Sequence, residues 1–227
     1  MEHADGGLGE LLDRAIEYTE LKDVDRSGWV LRGVEDAESV ADHSWGTAQL
    51  CLLFASHALV DPDLARLDPH RAVSMALVHD LAEVRVGDIP RRAATDTTDV
   101  VDKARKESAA IMHLTATDAA DEDAPTAVSL HLVHDLWREY EEAASPSARF
   151  VRDMNLIDMC LQALIYERDR RYDGEDRQEE FPDYPRMDEF FETSRARFST
   201  DLGRHLHRMV EYRYRTVVRS NQENRMV

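Results

Sequence analysis

Apolar residues recur at three- and four-residue steps along nearly all of this 227-residue chain. No segment shows the two-residue alternation of a half-buried strand, so the pattern predicts an all-α fold. Leu8, Leu11, Leu12, Ala15, Ile16 and Leu21 set the period and predict a first amphipathic helix reaching about Asp23. A second helix is predicted over 38–59. A third starts at Asp68-Pro69, where aspartate caps the first turn and proline gives up an N–H that has no helical partner, and it should end before Gly87. Further helices are expected over about 100–114, over 125–142, from Ser145-Pro146 onward, and twice between 187 and 220. Residues 25–33 read as a loop from their glycines, 91–99 as a polar connection or lid, and 170–185 as a charged, proline-punctuated loop. The expected organisation is one helical bundle over 1–227, with its core at roughly 8–170 and C-terminal helices at 187–220.

Composition narrows the partners. With 43% hydrophobic and 33% charged residues the chain can bury a substantial core. A formal charge of -18 argues against a nucleic-acid polymer, which needs clustered Lys and Arg to neutralise phosphates. A small anionic substrate needs only a few arginines in a pocket. The two cysteines, Cys51 and Cys160, lie in apolar helical patterns and read as buried thiols, not as a disulfide framework. No apolar run approaches the length of a membrane span, and the first residues lack an apolar signal core. A cytoplasmic protein with no membrane partner is the resulting expectation.

The chemistry concentrates in Ala76-Leu77-Val78-His79-Asp80-Leu81-Ala82-Glu83 and the following Gly87-Asp88-Ile89-Pro90. On a helix, His79 and Glu83 project from one face and Asp80 stands about 100° round from His79. One helix can therefore offer two metal ligands and a further carboxylate. His43, on another helix, can supply a third ligand. Mixed nitrogen and oxygen donors suit Mn, Co, Fe or Zn better than Mg alone. A His-Asp dipeptide by itself proves little, since His134-Asp135 also occurs here. His131 and His134, one turn apart, are read as surface or packing residues.

Taken with Arg26-Ser27-Gly28-Trp29-Val30-Leu31-Arg32, Glu38-Ser39-Val40-Ala41-Asp42-His43 and Phe150-Val151-Arg152 through Tyr166-Glu167, these segments resemble the HD-domain metal-dependent phosphohydrolases, specifically their 5'-deoxynucleotidase branch. The resemblance runs from about Leu21 to Glu167. It implies a helical bundle with a central divalent metal held by His43, His79, Asp80 and a late-helix aspartate. Asn155 stands where that aspartate belongs, with Asp153 and Asp158 out of register. It also implies that Glu83 orients or deprotonates the attacking water, and that Asp88 protonates the leaving 5'-oxygen or holds the sugar. Asp88 is equally readable as a turn residue bonding local backbone. Arg26, Trp29 and Arg32 are placed by the resemblance at the substrate mouth, where guanidinium groups can pair with phosphate and the indole can crowd a sugar. The alternative is solvated arginines around a core tryptophan.

The implied activity is removal of the 5'-phosphate from a deoxynucleoside monophosphate or a related nucleotide, by a homodimer. Two rivals stand beside it. Another HD chemistry, a phosphodiesterase or di-iron oxygenase, would need ligands for a second metal. A nucleotide-binding protein with weakened catalysis would fit Asn155 but has little use for Glu83.

Overall fold

The computed structural model describes residues 2–89, 97–173, 184 and 186–224. Ten α-helices lie among them: α1 (Glu2–Thr19), α2 (Ser27–Leu31), α3 (Val40–Ala58), α4 (Pro69–Val78), α5 (Glu83–Val86), α6 (Thr97–Leu114), α7 (Pro125–Glu142), α8 (Pro146–Asp169), α9 (Asp188–Ser194) and α10 (Asp201–Glu223). Among the described residues the extended pairing is one isolated bridge, Asp25 to Ser39. No helix is long and apolar enough to cross a membrane. Most of the lid expected over 91–99, and most of the loop expected over 170–185, lie outside the described residues.

The caps explain several boundaries. Ser39 accepts from Asp42 N while Asp42 accepts from Ser39 N, a reciprocal capping box that starts α3. Asp68 accepts from the backbone N–H of His70 and Arg71, and Ser145 from that of Ala148, starting α4 and α8. The 24-residue α8 runs through the centre, packed by α3, α4 and α10. Its Phe150, Val151, Met154 and Ile157 close the main core with Cys51 of α3 and Met75 and Ala76 of α4. A second cluster gathers Trp29, Tyr166, Phe191 and Tyr214, and a third Leu81, Ile111, Leu114 and Trp137. Both cysteines are buried and free.

Two expectations need correction. The third helix does not run unbroken to Gly87: α4 stops at Val78, and bonds from Leu81 N to Val78 O, Glu83 N to Asp80 O and Val84 N to Leu81 O wind a tighter three-residue turn before α5. The cause lies in the side chain of His79, whose Nδ1 bonds Ala76 O at 2.8 Å and so engages the carbonyl that Asp80 N would use in a continuing α-helix. Residues 25–33 are not all loop, because α2 forms inside them. Its start is held from 61 residues away: Ser27 N donates to Asp88 Oδ2 (2.8 Å) and Ser27 Oγ to Asp88 O (2.6 Å).

Candidate metal centre and active site

Two elements bring three donors to a common point. His43 comes from the first turn of α3, where the capping box fixes the chain direction; His79 and Asp80 come from the tight turn after α4. The donor atoms of His43, His79 and Asp80 lie within 4.8 Å of one another. His79 Nε2 is 3.1 Å and His43 Nε2 is 3.7 Å from Asp80 Oδ2. Donors that share one ion at about 2.1 Å each are separated by about this much.

The hydrogen bonds decide which imidazole nitrogens face that point. His43 Nδ1 is 2.7 Å from Asp158 Oδ2 on α8, and His79 Nδ1 is committed to Ala76 O. Each Nδ1 is therefore the protonated nitrogen, and each Nε2 keeps a lone pair. Both Nε2 atoms are buried without a hydrogen-bond partner. Two orphaned imidazole lone pairs beside a carboxylate fit a divalent cation of the borderline class.

The surrounding charges support that fit. Burial, aided by the Arg26 guanidinium, lowers His43 to about 3, so its imidazole stays neutral. Burial works against the charge of Asp80, but His79, Arg26 and His43 outweigh it and hold this carboxyl well below its usual range. Burial likewise disfavours a charged His79, yet Asp80 outweighs it and raises the group: the pair attracts positive charge. Burial pushes the Asp158 carboxyl up to about 7, with Arg26 and His79 pulling it back.

Around the cluster stand groups suited to phosphate. Arg26 Nη1 lies 3.6 Å from Asp80 Oδ2 and 3.8 Å from Asp88 Oδ1, and Asp88 and Asp80 keep it charged despite burial. Glu83 is buried beside them. Its Oε1 is 3.4 Å from Lys103 Nζ, and its Oε2 has no partner. Burial, then Asp80 and Asp88, raises Glu83 to about 9 against Arg26 and Lys103.

Other expected site residues are placed differently. Trp29 is buried against Tyr166 and Phe190, and its Nε1 donates to Glu38 Oε1 at 2.8 Å. Arg32 is buried in an ion pair with Glu189 and also donates to Tyr184 O. The packing of α2 turns both side chains inward: Trp29 is a core tryptophan, while Arg32 is buried and not a solvated arginine. Asn155 donates from Nδ2 to Tyr140 Oη at 2.7 Å, and the Tyr140 ring lies 5.0 Å from that of His79, edge to face. That bond commits the amide nitrogen of Asn155 and leaves its amide oxygen outside the contact. Asp153 turns away and binds the start of α10. His134, on α7, sits 3.8 Å from Asp135 and belongs to neither group of converging donors among the described residues.

Sequence reasoning missed Lys103, Glu38 and Tyr140. Lys103 bonds Ile89 O at 2.9 Å and pairs with Glu83 and Glu107, linking α6 to the site. Glu107, one turn after Lys103 on the same helix, was the available signal.

Comparison with known proteins agrees with this geometry. The family model described as "HD domain" matches residues 18–194. The 5'-deoxynucleotidase HDDC2 of Xenopus laevis is 35% identical over 179 residues, 79% of this chain and 75% of that protein. The mouse protein of the same name is 34% identical over 88% of this chain and 86% of its own length. Among solved structures, the PH0347 protein of Pyrococcus horikoshii superposes with a TM-score of 0.63 at 29% identity, covering 90% of this chain and 98% of that one. A match over most of the chain, with the buried histidine pair inside the matched residues, shows that the protein belongs to the HD-domain family, among the relatives of the HDDC2 5'-deoxynucleotidases.

Proposed function

We propose that this chain is a metal-dependent phosphohydrolase that removes the 5'-phosphate of a deoxynucleoside monophosphate, or of a closely related nucleotide. The observation that carries the reading is the convergence of two partnerless buried imidazole nitrogens on Asp80, beside Arg26 and Glu83. The 5'-deoxynucleotidase names of its relatives supply the substrate class.

In this reading His43, His79, Asp80 and the amide oxygen of Asn155 hold Mn, Co, Fe or Zn. Such an ion polarises a phosphoryl oxygen and lowers the pKa of water. Arg26 pairs with the phosphate and neutralises charge as the transition state forms. With a cation beside it to favour the ionised carboxylate, Glu83 orients the attacking water and takes its proton. Asp88, whose Oδ2 keeps Ser27 N, holds the sugar or relays to the departing 5'-oxygen the proton that Glu83 took from water. Trp29 and Arg32 form the wall behind Arg26. A homodimer belongs to the same reading, supported by the outward Leu8, Leu12 and Ile16 stripe of α1.

Phosphate release from a panel of deoxy- and ribonucleoside monophosphates, with and without chelator, tests the proposal. Turnover should vanish on chelation and return with Mn or Co. Full activity in metal-free protein, or inertness toward every monophosphate, would remove it. Asn155→Asp should tighten metal binding and raise turnover, because carboxylate is a charged and better donor than amide. If nucleotide binds to the native chain without turnover and Asn155→Asp restores it, the chain is the weakened nucleotide-binding relative.

A further inference from the structure

Asp158 lies outside the ligand set proposed above, yet it makes a short polar contact to one of its histidines. Its Oδ2 is 2.7 Å from His43 Nδ1, while the partnerless nitrogen of that ring is Nε2, which faces Asp80. The carboxylate and the metal point thus address opposite nitrogens of one imidazole. Glu38, His43 and Asp158 also bring donors within 4.8 Å of one another. On that side, however, Nδ1 is committed to Asp158, and one oxygen of Glu38 accepts from Trp29.

The sequence makes room for this contact at one position. Gly46 follows His43 by one turn of α3. A Cβ there would lie 2.2 Å from Asp158 Oδ1 and 2.9 Å from its Cγ. Any larger residue would drive the carboxylate off the helix and away from His43.

We propose that Asp158 is a positioning residue of the metal centre: through Nδ1–H it holds His43 in the tautomer whose Nε2 lone pair faces the cation, and Gly46 admits it. The inference rests on the reading of His43 as a ligand. A carboxylate behind a ligating imidazole fixes the ring and raises its basicity. Here it has an added use. With Asn155 as the fourth donor, Asp80 is the one carboxylate in the ligand set, and Asp158 returns negative charge to the centre by way of His43.

The test pairs a metal-free readout with a binding one, both at pH 8. Side-chain ¹⁵N NMR of the chelated protein should show His43 protonated on Nδ1. Asp158→Leu should lose that preference, whereas Asp158→Asn, whose amide oxygen still accepts, should keep it. Titration calorimetry with Mn should show affinity about 10–100-fold weaker in Asp158→Leu, with a smaller loss in Asp158→Asn and stoichiometry retained in both. Gly46→Ala should match Asp158→Leu, and the double variant should be no worse than either. His43 protonated on Nε2 in the native chain, or unchanged Mn affinity in Asp158→Leu, would overturn the proposal. So would Asp158→Leu abolishing binding outright, the result expected of His79→Ala, since Asp158 would then be a ligand. If the native chain binds no Mn, the metal reading falls, and the metal-free tautomer alone still supports or overturns the Asp158–His43 coupling.

Discussion

Glu83→Gln is expected to lower turnover about 10²–10⁴-fold, the usual cost of a lost acid–base group, while Mn still binds with near-native affinity. Glutamine preserves the volume of a side chain buried between Lys103 and the Arg26–Asp80–Asp88 cluster. It cannot take a proton from water. A second readout separates this role from a structural one. Burial and the neighbouring carboxylates raise Glu83 to about 9 in the metal-free protein. The folded chain therefore retains a proton that the unfolded chain releases near pH 4.5. The stabilising contribution is fully present below that value and is lost as pH rises toward 9. Thermal melts of chelated protein should show part of their decline between pH 5.5 and 8.5 disappear in Glu83→Gln. Native turnover in this variant would strip Glu83 of its role, and an unchanged melting slope would mean that its environment is more polar than the burial indicates.

Asp153→Ala should destabilise the fold by about 3 kcal/mol or more, without a direct effect on the chemistry. The Asp153 carboxylate accepts four hydrogen bonds: Ser199 N (2.9 Å) and Oγ (3.2 Å) at Oδ1, and Thr200 N (2.9 Å) and Oγ1 (2.6 Å) at Oδ2. Thr200 Oγ1 in turn accepts from Gly203 N and caps α10. Alanine would strand two backbone donors, each costing about 1–3 kcal/mol when buried, and would loosen α10 from α8. Gly203 marks how tight the joint is, since a Cβ there would lie 2.2 Å from Asp153 Oδ2. For a chain of this length the loss corresponds to a melting point lower by about 6–12 °C. Denaturant melts check it; a shift below about 1 kcal/mol would mean that water replaces the lost acceptor.

What the sequence disclosed follows the range of the interactions involved. Helical periodicity and local caps such as Asp68 and Ser145 act within a few residues, and they located α3, α7 and the starts of α4 and α8 closely. His43, His79 and Asp80 were legible as a group through the spacing of their motifs, and the fold brings their donor atoms together. The parts that escaped depend on distant partners. The short α2 exists because Asp88 caps it from another segment. The break after Val78 depends on where the His79 ring binds. Trp29 carried two readings because an indole beside arginines can face substrate or core, and only the arrival of Tyr166 and Phe190 turns it inward. Lys103 escaped for the same reason: its pairing with Glu107 is local, but the contact that matters comes from α6 folding back onto Glu83.

The bond from Ser27 to Asp88 closes a stretch that also contains His43, His79, Asp80 and Glu83. Asp158 then joins from far beyond it. The shortest contiguous fragment that contains every group from Arg26 to Asp158 is 133 residues long, nearly three fifths of the 227-residue chain. Under the proposed ligand set, cation binding would act as an assembly checkpoint, since the centre exists only when the early, middle and late thirds have all docked. A cation held at a hundred times its dissociation constant would add about 2.7 kcal/mol to the finished fold. Partly built intermediates, which lack the complete set of donors, would gain far less, and metal supply would then sharpen the all-or-none character of folding.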